Sequence, residues 1–367
     1  MQNQNIFAEI ERQKDELTQT LMELIRVPAV APENGGEGET KKAEKLVQIL
    51  KTTGFDKIER FDAKDDRVPS KNRPNIIAYY GGESETEKLW IITHMDVVPP
   101  GEESLWTVTK PFEPITREGR IYGRGSEDNG QSMVASIFAV KALKSLGDSG
   151  NEDGSFIEIA EKSAVWFRIR TIGKQTHASR PDRGLNAHRV GMEYALALDR
   201  MLHERCSLKN AYFEPPESTI EPTKKDKNVD AVNIIPGEDI VYFDCRILPN
   251  YSLDEIINDI QKLAEEFEKK TGAKIKFEIQ QKSVAPKPTD ANAKIVTMLE
   301  EAIRKIRRVE PKVGGIGGGT CAAFFRRIGI PAVVWSTIDE TGHQPNEYAK
   351  IENLVNDAKI FAYLAIS

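Results

Sequence analysis

The run Leu89-Trp90-Ile91-Ile92-Thr93 carries no charge and ends directly on His94-Met95-Asp96. A short stretch that is apolar at every position suits a strand buried on both faces, the kind found inside an α/β sheet. Residues i and i+2 of a strand face the same way, so the Asp96 carboxylate can sit beside the His94 imidazole. The surrounding pattern supports a sheet-and-helix fold. Ile6, Ile10, Leu17, Leu21 and Leu24 form one helical stripe. A second helix spans Thr40 to Thr53, with Thr40 as its N-cap and Gly54 as its stop. Asn75 to Tyr80 reads as a strand, and Gly130 to Leu146 as a helix.

From about Ser163 the pattern changes. Strands are expected at 164–172, 232–235, 239–248 and 274–280, with helices at 186–202 and 253–270. That order is β-α-β-β-α-β, the ferredoxin-like arrangement, with 214–228 as a polar linker. The expected division is a first α/β part at 1–162, an inserted unit at 163–284, and a second α/β part at 285–367. A helix at 292–307, the strand Ala332–Trp335 and a closing helix complete the second part. A length of 367 residues fits more than one core.

Composition narrows the function. The net charge of −6 gives no concentrated basic face for phosphate, so no nucleic acid is expected as a partner. No stretch reaches the ~20 apolar residues of a membrane span, and the N-terminus lacks the apolar core of a signal peptide. A cytoplasmic location is expected. Cys206, Cys245 and Cys321 lie far apart and offer neither a disulfide framework nor a thiolate zinc cluster.

Several further short motifs could carry chemistry. Gly123-Arg124-Gly125-Ser126-Glu127-Asp128-Asn129-Gly130 is a tight loop opening a helix, where Asp128 is either a functional carboxylate or a cap. His343 stands in the loop Thr341-Gly342-His343-Gln344-Pro345-Asn346-Glu347. Thr176-His177-Ala178-Ser179 reads by itself as a polar hairpin tip. Arg246, after Asp244-Cys245, is either a surface ion pair or a fork for a carboxylate. Gly317-Gly318-Gly319-Thr320 is either a flexible turn or a helix start that favours anions.

Taken in order, these motifs resemble the zinc-dependent aminoacylase and carboxypeptidase family, which includes acetylornithine deacetylase, succinyl-diaminopimelate desuccinylase and related dipeptidases. The resemblance runs from about Ile6 to Ala365. It implies a zinc-peptidase-like α/β catalytic domain with a mixed sheet, and an inserted ferredoxin-like α+β lid that forms a homodimer. It implies two zinc ions per subunit, with cobalt or manganese as alternatives. His94 would ligate one ion and His343 the other, Asp128 would bridge both, and Asp148 would ligate the second. Asp96 would orient His94, and the peptide after Asp128 would be cis. His177 would reach the partner's site to steady an oxyanion. Arg246, Gly318, Gly319 and Thr320 would hold the carboxylate of an N-acyl amino acid or small peptide. The implied activity is amide hydrolysis, by a deacylase or by a dipeptidase or carboxypeptidase.

One departure is sharp. The family carries a Glu-Glu pair after the bridging aspartate, the first as general base and the second as a zinc ligand. Here Glu102-Glu103, Glu265-Glu266 and Glu300-Glu301 stand in other contexts. The helix after Asp128 covers ~24 Å at ~1.5 Å per residue, which leaves Asp148 on the wrong side of the sheet. A strand-bearing segment is therefore expected to be missing near Gly147–Asp148. Without it, the chain would be a metal-binding relative that lacks its base.

Overall fold

A computed structural model describes residues 2–81, 88–143 and 155–366. Asp148 and the Gly147–Asp148 junction lie outside the described residues. The chain divides into two compact units. One comprises Met1–Ser155, Val296–Lys312 and Trp335–Ser367; the other comprises Phe156–Ile295 and Val313–Val334.

The first unit begins with α1 (Gln2–Arg12) and α2 (Lys14–Ile25). The expected single helix is broken at Gln13, where ψ of 3° leaves the helical range. The apolar stripe nonetheless survives the break, and Ile6, Ile10, Leu17, Leu21 and Leu24 are all buried. Next comes α3 (Thr40–Thr53), closed by Gly54 at φ +93°. Glu39, not Thr40, holds its N-cap position, because the Thr40 hydroxyl bonds to Ser70 Oγ at 3.0 Å. An antiparallel hairpin follows, β1 (Lys57–Lys64) with β2 (Asn72–Tyr79). Short strands β3 (Ile115–Arg117) and β4 (Arg120–Tyr122) precede α4 (Ser132–Leu143). Val134, Ala135, Ile137, Phe138, Ala139 and Ala142 of α4 are buried, as expected of a helix that is apolar all round.

The stretch Leu89–Thr93 is not a strand. Among the described residues it joins no ladder, and Leu89, Trp90 and Ile92 are 38%, 57% and 48% exposed. A strand apolar on both faces needs neighbours along both edges and cover on both faces; among the described residues no neighbour pairs with it, and only Ile91 and Thr93 are half-buried. Pairing resumes only at Val97, in a parallel bridge to Val30.

The second unit opens with β5 (Phe156–Glu161), β6 (Ser163–Ile172), β7 (Thr176–His177) and α5 (Ala187–Arg205). It continues through β8 (Thr219–Lys225), β9 (Ile234–Ile235), β10 (Glu238–Ile247), α6 (Leu253–Thr271) and β11 (Lys274–Ser283). The four-stranded sheet runs β11-β6-β10-β8, all antiparallel, which with α5 and α6 is the ferredoxin-like topology. Its second strand is β8, inside the region read as a linker, and not 232–235. In β8 only Ile220 is buried, and Pro222 falls where the register shifts, so an edge strand has the polarity of a linker. The residues at 234–235 pair instead with β7. Asn186 and Ser252 cap α5 and α6 through their side chains. Val165, Phe167 and Ile169 of β6 point into the core with Tyr194, Phe243 and Ile260.

The remaining elements are α7 (Lys294–Ala302), β12 (Lys312–Ile316), α8 (Ala322–Arg327), β13 (Tyr348–Lys350) and α9 (Ile351–Ile366). The expected strand at Ala332–Trp335 is reduced to a bridge between Val334 and Glu158. In the first unit α9 packs on α4 and contributes Asp357, fully buried against Arg307 at 2.9 Å. Thr337 Oγ1 and Gln131 Nε2 also donate to Asp357, at 2.7 and 2.8 Å. Among the described residues no helix is long and apolar enough to cross a membrane. Removing one partner of a buried pair leaves the other charge uncompensated, so Asp357→Ala should cost about 3–5 kcal/mol in urea unfolding. A cost below about 1 kcal/mol would mean that the pair does not anchor α9.

Candidate metal centre

Four side chains meet in the first unit. His94 and Asp96 follow the Leu89–Thr93 stretch, Asp128 sits in the irregular turn Ser126–Gln131 ahead of α4, and His343 lies in the loop before β13. His94 Nε2 lies 3.0 Å from Asp128 Oδ1, and His343 Nε2 lies 2.9 Å from Asp128 Oδ2. Each imidazole thus takes its own oxygen of one carboxylate. His94 Nδ1 is 3.1 Å from the Asp96 carbonyl and 3.3 Å from its Oδ1, so Asp96 fixes the far side of the ring. The Asp128–Asn129 peptide is cis, as the resemblance implies. The turn depends on glycine. Gly125 has φ +81°, and a Cβ at Gly130 would lie 2.4 Å from the Gly125 carbonyl oxygen.

What holds the two loops together went unread in the sequence. Glu347 is buried, bonds Arg124 Nη1 at 2.6 Å, and accepts the amides of Gly125, Glu127 and Asp128, each at 3.1 Å. In return buried Glu127 accepts the amides of Asp339, Thr341 and Gly342. The only available signal was position, one glutamate beside Asp128 and the other four residues after His343.

Electrostatics follow from this packing. His94 is pushed up to about 10, first by its bond to Asp128 and then by Asp96. Asp128 and Asp96 are both held below the ordinary carboxylate range, chiefly by His94. Burial raises Glu347 despite its donors. Burial also pushes nearby Lys42 down to about 8.

Two imidazole nitrogens and a carboxylate are ordinary zinc donors, and a carboxylate with one oxygen toward each histidine suits a bridge between two ions. The number of donors falls short. Among the described residues no three His, Cys, Asp or Glu side chains converge on one ion. Among the described residues each histidine has only Asp128 to complete its half, whereas catalytic zinc is usually held by three protein ligands.

The other expected site residues lie in the second unit. Both oxygens of Asp244 engage Arg246, whose Nη1 also donates to the Gly317 carbonyl at 3.3 Å. Arg246 therefore stands at the Gly317–Thr320 turn, beside Gly318 and Gly319. The Thr320 amide donates to Glu161 Oε2 at 2.6 Å, and α8 begins two residues later. An anion at this turn would compete with Glu161 for that donor. His177 is exposed, and its Nδ1 lies 2.8 Å from Ser179 Oγ.

The model of peptidase family M20/M25/M40 matches residues 90–367. The chain belongs to that family. M20 proteins are metal-dependent hydrolases of amide or peptide bonds, and this chain has their fold, with the ferredoxin-like insertion. It is 37% identical to a metallohydrolase of Methanocaldococcus jannaschii over 400 residues, covering 92% of this chain and 96% of the relative. It is 25% identical to succinyl-diaminopimelate desuccinylase of Pelagibacter ubique over 391 residues, covering 93% and 95%. Aminopeptidase PepT of Bacillus cereus matches in structure with a TM-score of 0.74 at 18% identity, covering 96% and 99%. The lengths are informative. The first alignment has 400 positions, but 92% of 367 residues is only about 338. By the same reckoning 93% of this chain, about 341 residues, meets 391 positions of the desuccinylase alignment. Some fifty to sixty aligned positions of these M20 relatives thus have no counterpart here.

A histidine whose value is raised in the folded state stabilises the fold fully below its ordinary 6.5 and loses that contribution as pH rises through about 10. Lys42, depressed by burial, gives an opposite slope, so the useful comparison is between two proteins that share it. Between pH 6.5 and about 10, metal-free wild type should lose melting temperature relative to Asp128→Asn, which lacks the largest cause of the shift. Parallel profiles would mean that His94 and Asp128 are not coupled.

Proposed function

We propose that this M20 metallohydrolase is built around a two-zinc centre, with Asp128 between His94 and His343, for removing an acyl group from N-acyl amino acids. The observation that carries the reading is the shared carboxylate, with each imidazole on its own oxygen. His94 and Asp128 would hold one ion, and His343, Asp128 and Asp148 the other. The chemistry that bound zinc supplies is Lewis acidity toward the amide carbonyl and toward water. Asp96 keeps His94 turned toward Asp128. Arg246, exchanging its fork from Asp244, would hold a substrate carboxylate, with Gly318, Gly319 and Thr320 supplying backbone donors in place of the Thr320–Glu161 bond. His177 is exposed at the end of β7, which supports a role toward the site of a second subunit in a homodimer formed by a lid at 163–284. Residues 1–162 and 285–367 would form the catalytic domain. Two buried free thiols and one exposed one suit a reducing cytoplasm. Dipeptide or C-terminal peptide cleavage is the second reading, favoured by the likeness to dipeptidase and metallo-carboxypeptidase structures.

The general base is the missing part. We place the fifty to sixty unmatched positions between Leu143 and Phe156. Two observations support this. α4 carries the chain about 18 Å from the metal centre without returning, and Leu89, Trp90 and Ile92 stand uncovered where a neighbouring strand belongs. Positioned general acid–base groups contribute about 10²–10⁴-fold. The 367-residue chain should therefore bind zinc weakly and hydrolyse succinyl and acetyl amino acids about 10²–10⁴-fold more slowly than a form carrying the relatives' segment between Leu143 and Phe156. The longer form should lose activity on chelation. Brisk, chelator-sensitive turnover by protein whose mass matches 367 residues would show that another residue serves as base.

A further inference from the structure

We propose that Glu127 is the positioning residue for His343, setting the imidazole on Asp128 by gathering the backbone of the His343 loop. This rests on the reading of Asp128 as the shared carboxylate of the centre. The Glu127 side chain is buried, and both of its oxygens are used. Oε1 accepts the Asp339 amide at 2.6 Å. Oε2 accepts the Thr341 amide, the Thr341 hydroxyl at 2.9 Å and the Gly342 amide at 2.8 Å. All four donors lie within four residues of His343.

The loop needs such a restraint. Glu340, His343 and Asn346 have φ of 60°, 66° and 58°, left-handed values uncommon for residues with a side chain, three of them within seven residues. Three amides converging on one buried point require an acceptor with several lone pairs, which a carboxylate supplies and an amide side chain does not. The loop also lies directly on the centre, since a Cβ on Gly342 would be 3.3 Å from Asp128 Cβ. Consecutive residues thus divide the work. Glu127 holds the loop's backbone, and Asp128 receives the loop's imidazole, so few rotatable bonds separate restraint from target. The His94 half is held differently, through Asp96 and without Glu127.

That separation gives the test. The full chain, stripped of metal, is labelled with ¹⁵N-histidine; its five histidines give a tractable spectrum. Glu127→Gln leaves one carbonyl oxygen where two oxygens accepted, so at least one group of donors meets an NH₂. The His343 ring signals should move to those of an unbonded imidazole, while the His94 signals stay. Amide exchange at Thr341 and Gly342 should accelerate about 10–100-fold. Thr341→Val, which removes one donor and keeps the carboxylate, should shift the same signals less and decides the matter if E127Q does not fold. Unchanged His343 signals in the folded variants would overturn the proposal. So would equal movement of His94, which marks general loosening. Zinc affinity does not enter, so a failure of the two-zinc reading would leave the result intact and show separately in metal titration.

Discussion

Two buried carboxylates 220 residues apart in the sequence hold each other's backbone. Glu347 collects the amides of residues 125, 127 and 128, and Glu127 collects those of residues 339, 341 and 342. Each bond runs to a buried carboxylate and is buried or partly buried, a setting in which hydrogen bonds are strong and an unpaired member is costly. Arg124 offsets the charge of Glu347 at 2.6 Å and stacks its guanidinium on Trp106. The exchange ties a turn near residue 128 to a loop near residue 343. Asp128 and His343 can therefore meet although more than two hundred residues separate them.

The parts of this arrangement differ in how far the sequence reveals them. His94, Asp128 and His343 each stand in a short motif, and the motifs were readable because their chemistry is concentrated in a few adjacent residues. Glu127 and Glu347 were not readable as a pair, since nothing local marks two glutamates as partners across the chain. The ferredoxin-like unit followed from helical and alternating periods, yet β8 did not, because an edge strand with one buried residue has the composition of a loop. The break at Gln13 is likewise a backbone event with no change in the apolar stripe.

Leu89–Thr93 failed for a different reason. Its sequence is that of a doubly covered strand, but whether such a segment becomes one depends on its neighbours. The described residues provide none, and the length comparison with M20 relatives indicates that fifty to sixty positions are absent here. Under the proposed placement of that segment, the same gap would account for a centre with two histidines, one shared carboxylate and too few further donors among the described residues. The cradle around Asp128 is nevertheless formed, because the Glu127–Glu347 exchange and the Asp96–His94 contact involve only residues that are present.

The central claim is that Asp128 is a shared ligand in a preformed cradle. Anomalous diffraction at the zinc edge, from crystals of this chain soaked at zinc concentrations high enough to fill weak sites, tests it most directly. Two peaks about 3.5–4 Å apart, one beside His94 Nε2 and one beside His343 Nε2 with Asp128 between them, are the predicted result. A single peak, or peaks that leave Asp128 uncoordinated, would contradict it.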